Sequence, residues 1–157
     1  MLIGLVSDSH DNVPAIQEAV QALQDRGAEH LLHAGDVVAP FAAKAWAAFD
    51  GPITAVFGNN DGEREGLARV LDDIDDPPRT LELAGRTIVL AHAAEQIDDA
   101  TRAQADLVVY GHTHRAEASR EADVLTVNPG EVGGWLTGRR TCAVVDLQSL
   151  AVEIVDL

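Results

Sequence analysis

The first half of the chain alternates short apolar runs with stretches of helical periodicity. This rhythm of strand, helix and strand is typical of parallel strands joined by right-handed crossovers. Pro14 near the start of the first helix and Gly27 just past its end are both at favoured positions. The predicted elements are strand 2–6, a helix with Val13, Ile16, Val20 and Leu23 on one face, a strand through Leu31 and Leu32, helix 41–49, strand 53–57 and helix 62–71.

The second half is richer in predicted strands. Segment 72–78 holds two prolines and four aspartates, which indicates an exposed loop. Two packed sheets with helices outside them would use every element, so we expect one α/β domain over residues 1–157. The predicted elements are strands 80–84 and 86–91 with a tight turn at Gly85, helix 97–105, and strands 107–110, 116–120, 124–127, 142–146 and 152–155.

Five of the apolar runs end in polar residues of a metal-binding type. In open α/β sheets, ligands bind beyond the carboxyl ends of the strands. Five separate segments are therefore expected to converge on one point. The polar residues at these ends are Asp8 and His10 after LIGLVS, Asp36 after LLHAG, Asn59, Asn60 and Asp61 after ITAVFG, His92 after TIVLA, and His112 and His114 after LVVYG.

The types of these residues favour a dinuclear metal site. Carboxylate, amide and imidazole groups without any thiolate suit Mn, Zn, Fe or Ni better than they suit a structural cysteine-type zinc site. Seven such ligands exceed the needs of one open catalytic metal and suit two metals that share a bridging carboxylate. The predicted ligands are Asp8, His10, Asp36, Asn59, His92, His112 and His114.

Each predicted ligand has a simpler interpretation when it is taken alone. Asp8 or Asp36 is suited to capping a helix, the turn residues from Asn59 onward favour a loop, and His92 is typical of a core or surface histidine. His30 is expected to be exposed, and His33 is a candidate for orienting a ligand. The combination of compatible chemistry at five strand ends is what favours the metal site.

Composition and charge narrow the choice of partner and compartment. The net charge of −15 argues against duplex nucleic acid and against anionic membranes, since both need a basic face. The chain has one lysine, Lys44, and ten arginines. A net charge this negative, with so little lysine, suggests adaptation to high salt, with an ordinary acidic surface as the alternative. The lone Cys142, the lack of a long apolar run and the absence of signal-peptide features favour the cytoplasm.

At these residues the sequence resembles the calcineurin-like metallophosphoesterases, specifically the small YfcE-like phosphodiesterase group. Any one of the motifs is weak, but the ordered set is specific and spans positions 8 to 130. The matching motifs are Asp8-Ser9-His10, Gly35-Asp36, Gly58-Asn59-Asn60-Asp61, Ala91-His92, Gly111-His112-Thr113-His114 and Asn128-Pro129-Gly130.

The resemblance implies an αββα four-layer sandwich and a division of the ligands. Two divalent metals, with Mn favoured and Ni, Zn, Fe, Co and Mg as alternatives, would share a bridging hydroxide that attacks a small phosphodiester. Relatives of this size often form homodimers or homotetramers. The resemblance places Asp8, His10 and His114 on the first metal, Asn59, His92 and His112 on the second and Asp36 between them, with Asp36, Asn59 and His112 as the catalytic set and Asn59 and Asn60 near the substrate phosphate.

Three departures from the family pattern bear on substrate. Asn60 stands where many larger relatives have a histidine that protonates the leaving group, which favours diesters and good leaving groups. His92 is followed by alanines where relatives often read His-Gly-His. Glu131 stands where relatives usually have serine, so it would repel phosphate or recruit a third cation, or else lie in an exposed loop. Arg64 is a candidate partner for the substrate phosphate, although an exposed helix face is its simpler interpretation.

Other functions fit the same motifs. A phosphomonoesterase or a nuclease would use the same metals, although the acidic charge weakens the nuclease hypothesis for long polymers. A scaffold resembling a retromer subunit is a non-enzymatic alternative. All seven ligand positions are intact here, which counts against the scaffold.

Overall fold

The computed structural model describes all 157 residues, in eleven strands and five helices. The strands are β1 (Leu2–Val6), β2 (His30–His33), β3 (Ile53–Val56), β4 (Ile74–Asp75), β5 (Arg79–Leu83), β6 (Arg86–Leu90), β7 (Leu107–Val109), β8 (Glu117–Glu121), β9 (Val124–Asn128), β10 (Thr141–Asp146) and β11 (Ala151–Asp156). The helices are α1 (Val13–Asp25), α2 (Pro40–Trp46), α3 (Arg64–Ala68), a 3₁₀ turn (Ala94–Gln96) and α4 (Asp99–Arg102).

The strands form two mixed sheets. The first has the order β11-β10-β1-β2-β3-β4 and the second has the order β5-β6-β7-β9-β8. Strands β1, β2, β3 and β4 pair in parallel, as do β6, β7 and β9. The parallel pairings align the carboxyl ends of neighbouring strands at one edge of each sheet, which is where the metal-binding residue types were predicted to gather.

The apolar core has three parts, and they define the layers. Helices α1 and α2 pack on the outer face of the first sheet through residues such as Ile16 and Trp46. The facing sides of the two sheets meet through residues such as Leu5 and Leu90. A smaller cluster around Val89 and Ile97 covers the outer face of the second sheet. This order of helix, sheet, sheet and helix confirms the predicted αββα sandwich.

Three local predictions were wrong, and one of them is helix 62–71, which is limited to α3 (Arg64–Ala68). Segment 72–78 is not wholly a loop, because β4 lies within it and pairs in parallel with β3. The predicted helix 97–105 is shorter than expected and is preceded by a separate 3₁₀ turn. Ile97 is extended between them, and the Asp98 side chain accepts a hydrogen bond from the backbone N–H of Thr101, so it starts α4 at Asp99. None of the helices is long and apolar enough to cross a membrane.

Candidate metal centre

Six loops meet where the parallel strands end, and all seven predicted ligands lie on five of them. The loops are tied to one another by backbone hydrogen bonds. The N–H of Asp8 donates to the carbonyl of Gly35 at 3.0 Å, and the N–H of Gly111 donates to the carbonyl of His92 at 2.9 Å. The sixth loop follows β9 and includes Glu131. The fold therefore brings the strand ends of both sheets to one place.

Glycines that precede the predicted ligands allow very close approach between these loops. A Cβ atom on Gly58 would lie 2.1 Å from Oδ1 of Asp36, and one on Gly111 would lie 2.7 Å from Oδ2 of Asp8. Neither separation is tolerable, so any side chain at these positions would displace a carboxylate. These glycines, which the sequence showed only as parts of motifs, are a packing requirement of the site.

Left-handed backbone conformations are concentrated in the same loops. At five of the predicted ligands φ lies between 40° and 65°, a region that non-glycine residues enter at a cost in energy. Asp8 and His10, and likewise His112 and His114, therefore lie on tight turns rather than on extended chain. Residues in this conformation include Asp8, His10, Asp36, His112 and His114.

Asp36 lies at the middle of the cluster and is buried. Its Oδ2 atom lies 3.4 Å from Nε2 of His10 and 3.5 Å from Nε2 of His92. The two histidines approach from different loops, one after β1 and one after β6. A single carboxylate oxygen thus faces an imidazole nitrogen on each of two sides, which is the arrangement expected of a carboxylate between two cations.

Asp8, His10 and His114 form one group of ligand-type side chains. Nε2 of His114 lies 3.4 Å and Nε2 of His10 lies 3.9 Å from Oδ1 of Asp8. Oδ1 of Asp8 and Nε2 of His10 are buried and have no hydrogen-bond partner. Burial raises the pKa of Asp8 above its usual value, against the lowering effect of Ser7 and of nearby histidines. Unpartnered buried polar atoms of this kind are costly unless a cation binds them.

His92 lies beside Asp36, and Asn59 and His112 lie next to His92 as a second group of ligand-type side chains. Nδ1 of His92 lies 2.8 Å from the carbonyl oxygen of Ala34, which can only accept, so Nδ1 carries the proton. Nε2 of His92 lies 2.8 Å from the side-chain amide of Asn59, so these two ligand-type groups lie side by side. The ring of His112, whose side chain is exposed, lies 5.0 Å from that of His92.

The donor chemistry therefore fits divalent metal ions. Ligand-type atoms of Asp8, His10 and His114, and of Asp8, Asp36 and His92, lie within 4.8 Å of one another in each group. Sulfur is absent from both groups, as the sequence predicted.

Asn60 contacts a predicted ligand, whereas Arg64 contacts Asp76 and Phe57. The backbone N–H of Asn60 donates to Oδ1 of Asp36 at 2.8 Å, and its side-chain amide donates to Oδ2 at 2.7 Å. The guanidinium of Arg64 pairs with Asp76 and lies 4.0 Å from the ring centroid of Phe57. Arg64 would have to leave that pair to reach a substrate phosphate.

Glu131 is not an exposed loop residue, and that interpretation was wrong. The side chain is fully buried, and its carboxylate lies 2.8 Å from Nδ1 of His114. It also accepts hydrogen bonds from the backbone N–H groups of Trp135, Leu136 and Thr137. Burial raises its pKa, but the hydrogen bonds from Thr137 and His114 outweigh this and lower the pKa to about 2. Glu131 therefore orients a predicted ligand instead of facing the substrate.

Asp61 and Asn128 also support the site, and sequence reasoning did not assign either a function. The carboxylate of Asp61 accepts hydrogen bonds from the backbone N–H groups of Asp36, Val38 and Gly58. The amide of Asn128 donates to the carbonyl of Gly111 and to the hydroxyl of Thr113. Their positions inside the Asn59 turn and in the Asn-Pro-Gly motif were the only available signals.

The two histidines of β2 are both buried. His33 accepts a hydrogen bond from the N–H of Gly35 through Nδ1 at 3.1 Å, so it supports the turn that leads to Asp36. His30 was predicted to be exposed, and this was wrong. Its Nε2 lies 2.9 Å from the hydroxyl of Thr54, which donates to Asp73.

The fold, together with a donor set that fits divalent metals, points to the metallophosphoesterase class. The model of the calcineurin-like phosphoesterase superfamily domain matches residues 1–150, and the chain belongs to that superfamily. Phosphodiesterase MJ0936 of Methanocaldococcus jannaschii is 36% identical to the chain, and the match covers 94% of each sequence.

Solved structures agree with this family. The structure of an archaeal phosphodiesterase superposes with a TM-score of 0.93 at 33% identity, and the match covers 100% of both chains. The phosphoesterase YfcE from E. coli superposes with a TM-score of 0.70 at 22% identity, over 99% of this chain and 98% of the other. At that identity YfcE supports the fold alone, and together the matches confirm the family predicted from the motifs.

Proposed function

We propose that this protein is a dinuclear metal-dependent phosphodiesterase that hydrolyses small phosphodiesters. The family is one of phosphoesterases, and a relative of 36% identity is named a phosphodiesterase. The observation that carries the proposal is Oδ2 of Asp36, which faces Nε2 of both His10 and His92 at about equal distance, 3.4 and 3.5 Å. One oxygen between two nitrogen donors is suited to bridging two metals.

The proposed ligands follow the two groups of side chains. Bound divalent metals would polarise a phosphoryl oxygen and lower the pKa of a shared water. The ligands proposed are Asp8, His10 and His114 for one metal, Asn59, His92 and His112 for the other, and Asp36 for both.

The remaining residues orient these groups and receive the substrate. The backbone carbonyl of Ala34 and the carboxylate of Glu131 hold the Nδ1 protons of His92 and His114, which directs each Nε2 lone pair to the centre. Asn59 and Asn60 are exposed at the mouth, where their side chains can meet a phosphate. The amide of Asn60 cannot protonate a leaving group efficiently, which favours diesters with good leaving groups.

The choice of metal, the size of the substrate, the compartment and the assembly can also be inferred. We infer Mn as the favoured metal, with Ni, Zn, Fe, Co and Mg as alternatives, because the donors are oxygen and imidazole. The charge of −15 supports a small substrate rather than duplex nucleic acid, and it supports a high-salt cytoplasm. Assembly as a homodimer or homotetramer rests on the family alone.

Hydrolysis assays with the full chain test the proposal. Bis-p-nitrophenyl phosphate and p-nitrophenyl phosphate are compared with Mn, Ni, Zn, Co and Mg at low and high salt. We expect metal-dependent cleavage, faster for the diester. Faster monoester cleavage would favour the phosphomonoesterase, and no cleavage by folded, metal-loaded protein would favour the scaffold.

Substitution of Asp36 tests the bridging position separately from activity. Asp36→Ala should abolish hydrolysis and lower the occupancy of both metals, measured by elemental analysis after dialysis. A variant that keeps two metals per chain would show that Asp36 does not bridge them.

A further inference from the structure

Two large apolar side chains are exposed beside the candidate metal centre. Trp135 is 64% exposed and Leu136 is 75% exposed. Both lie on the loop that follows Glu131, next to the loops that carry His10 and His114. Large apolar side chains together in water at the mouth of a site are typical of ligand contact.

Hydrogen bonds fix the position of this loop. The buried carboxylate of Glu131 accepts hydrogen bonds from the N–H groups of Trp135, Leu136 and Thr137. The indole Nε1–H of Trp135 donates to the carbonyl oxygen of His10 at 3.1 Å. That bond fixes one edge of the indole against the backbone of a predicted ligand and leaves much of the ring in solvent.

The apolar pair and the metal ligands line one open depression. Its walls are His10, Asn60, His114, Trp135 and Leu136, and its volume is about 330 Å³. The polar walls belong to the centre and to Asn60, and the other two walls are an aromatic ring and a branched aliphatic chain. Aspartate, glutamate, lysine and arginine are absent from the lining. The depression therefore combines side chains of the candidate metal centre with an apolar, partly aromatic surface.

We propose that Trp135 is a specificity-determining residue that stacks on the nucleobase of a nucleotide phosphodiester, with Leu136 against the edge of the base. The proposal rests on the proposed function, since the phosphate must be held at the metal centre. Among biological phosphodiesters, those of nucleosides carry a flat aromatic ring, and every base offers a face for stacking. The substrate class is thereby narrowed from small phosphodiesters to those of nucleosides.

Equilibrium binding to the metal-loaded full chain tests this without turnover. Titration calorimetry compares AMP with ribose 5-phosphate, which keeps the sugar and the phosphate and lacks the base. We expect wild-type protein to prefer AMP by at least about fivefold, the range of base stacking on an aromatic side chain. Trp135→Ala should remove the preference and Trp135→Phe should keep most of it. Phe41→Ala is the matched control, since Phe41 is 60% exposed and does not line the depression.

Other outcomes distinguish this role of Trp135 from a failure of the proposed function and from a contact between chains. Equal binding of the two ligands to an enzyme that hydrolyses bis-p-nitrophenyl phosphate would overturn the role of Trp135 and leave the proposed function intact. No binding of either ligand, together with no metal-dependent hydrolysis, would contradict the proposed function itself. If Trp135→Ala converted a dimer to monomers in sedimentation and kept the AMP preference, the apolar pair would be a contact between chains.

Discussion

The carboxylate of Glu131 lies 2.8 Å from Nδ1 of His114, and both side chains are buried. Because Glu131 has a pKa lowered to about 2 and is ionised at neutral pH, it accepts a hydrogen bond from the Nδ1–H group of His114. The Nε2 lone pair of His114 is then directed at Asp8. A carboxylate that accepts from a ligating histidine fixes the ring and makes it a stronger ligand.

Glu131→Gln should therefore weaken metal binding by about 10- to 100-fold. The substitution also places an amide NH₂ among N–H donors, which should lower the free energy of unfolding by about 1–3 kcal/mol. Titration calorimetry with Mn and urea unfolding measure the two effects. Glu121→Gln is the control, because the side chain of Glu121 is exposed and takes part in no hydrogen bond or ion pair. Metal affinity equal to wild type would show that Glu131 does not support the ligand.

The predicted ligands could be placed at the site from the sequence alone, whereas Glu131 could not. Asp36 and His92 each come just after a predicted strand, so strand prediction alone placed them among the residues expected to converge beyond the strand ends. Glu131 follows Asn-Pro-Gly, and its partner His114 lies 17 residues away on a different loop. That pairing depends on the parallel register of β7 and β9, which no local pattern encodes.

Burial of polar side chains was the other feature that local patterns did not predict. His30 stands at the start of a short apolar run and was expected to face solvent. Its burial is tolerated because the hydroxyl of Thr54 on the adjacent strand β3 accepts a hydrogen bond from the ring. The same hydroxyl donates a hydrogen bond to Asp73. A chain of three hydrogen-bonding side chains from separate segments offsets the cost of burying the imidazole.

Asp61 should be essential to the position of Asp36. The carboxylate of Asp61 accepts hydrogen bonds from three backbone N–H groups. In Asp61→Asn, one of these N–H groups would face an NH₂ group instead of an oxygen. The free energy of unfolding should fall by about 1–3 kcal/mol, and diester hydrolysis should fall with it as the Asp36 loop shifts. Urea unfolding and kcat/KM measure these effects. Asp123→Asn, at an exposed residue without polar partners, should match wild type; an equal loss there would assign the effect to charge alone.

Salt should stabilise this protein through its net charge of −15. Surface carboxylates repel one another at low ionic strength, and screening shortens the range of that repulsion to about 3 Å in molar salt. We expect the free energy of unfolding to rise between low and molar KCl. Sucrose at the same osmolality controls for solvent effects that are independent of charge. Unchanged stability in KCl would rule out the high-salt adaptation.

Acid should destabilise the fold in part through His30. Burial lowers the pKa of His30 below its usual 6.5, against the raising effect of Asp73. As the pH falls below 6.5, the unfolded chain takes up this proton before the folded chain does, so stability is lost on acidification. Urea unfolding from about pH 7.5 to about pH 5.5 should show a smaller loss for His30→Gln than for wild type. Identical slopes for the two proteins would mean that His30 titrates normally in the folded state.

Asn60→His should extend the enzyme to monoesters with poor leaving groups. An imidazole at this position can donate a proton to the departing oxygen, and general acids contribute about 10²–10⁴-fold. The gain should appear as at least about a tenfold rise in kcat/KM for an alkyl phosphate such as glycerol 2-phosphate, measured by phosphate release. The gain for p-nitrophenyl phosphate should be small, because nitrophenolate leaves without a proton. Asn60→Gln keeps an amide and is the matched control for the lost hydrogen bond to Asp36. A similar change for both substrates would mean that Asn60 acts through the position of Asp36 rather than through the missing acid.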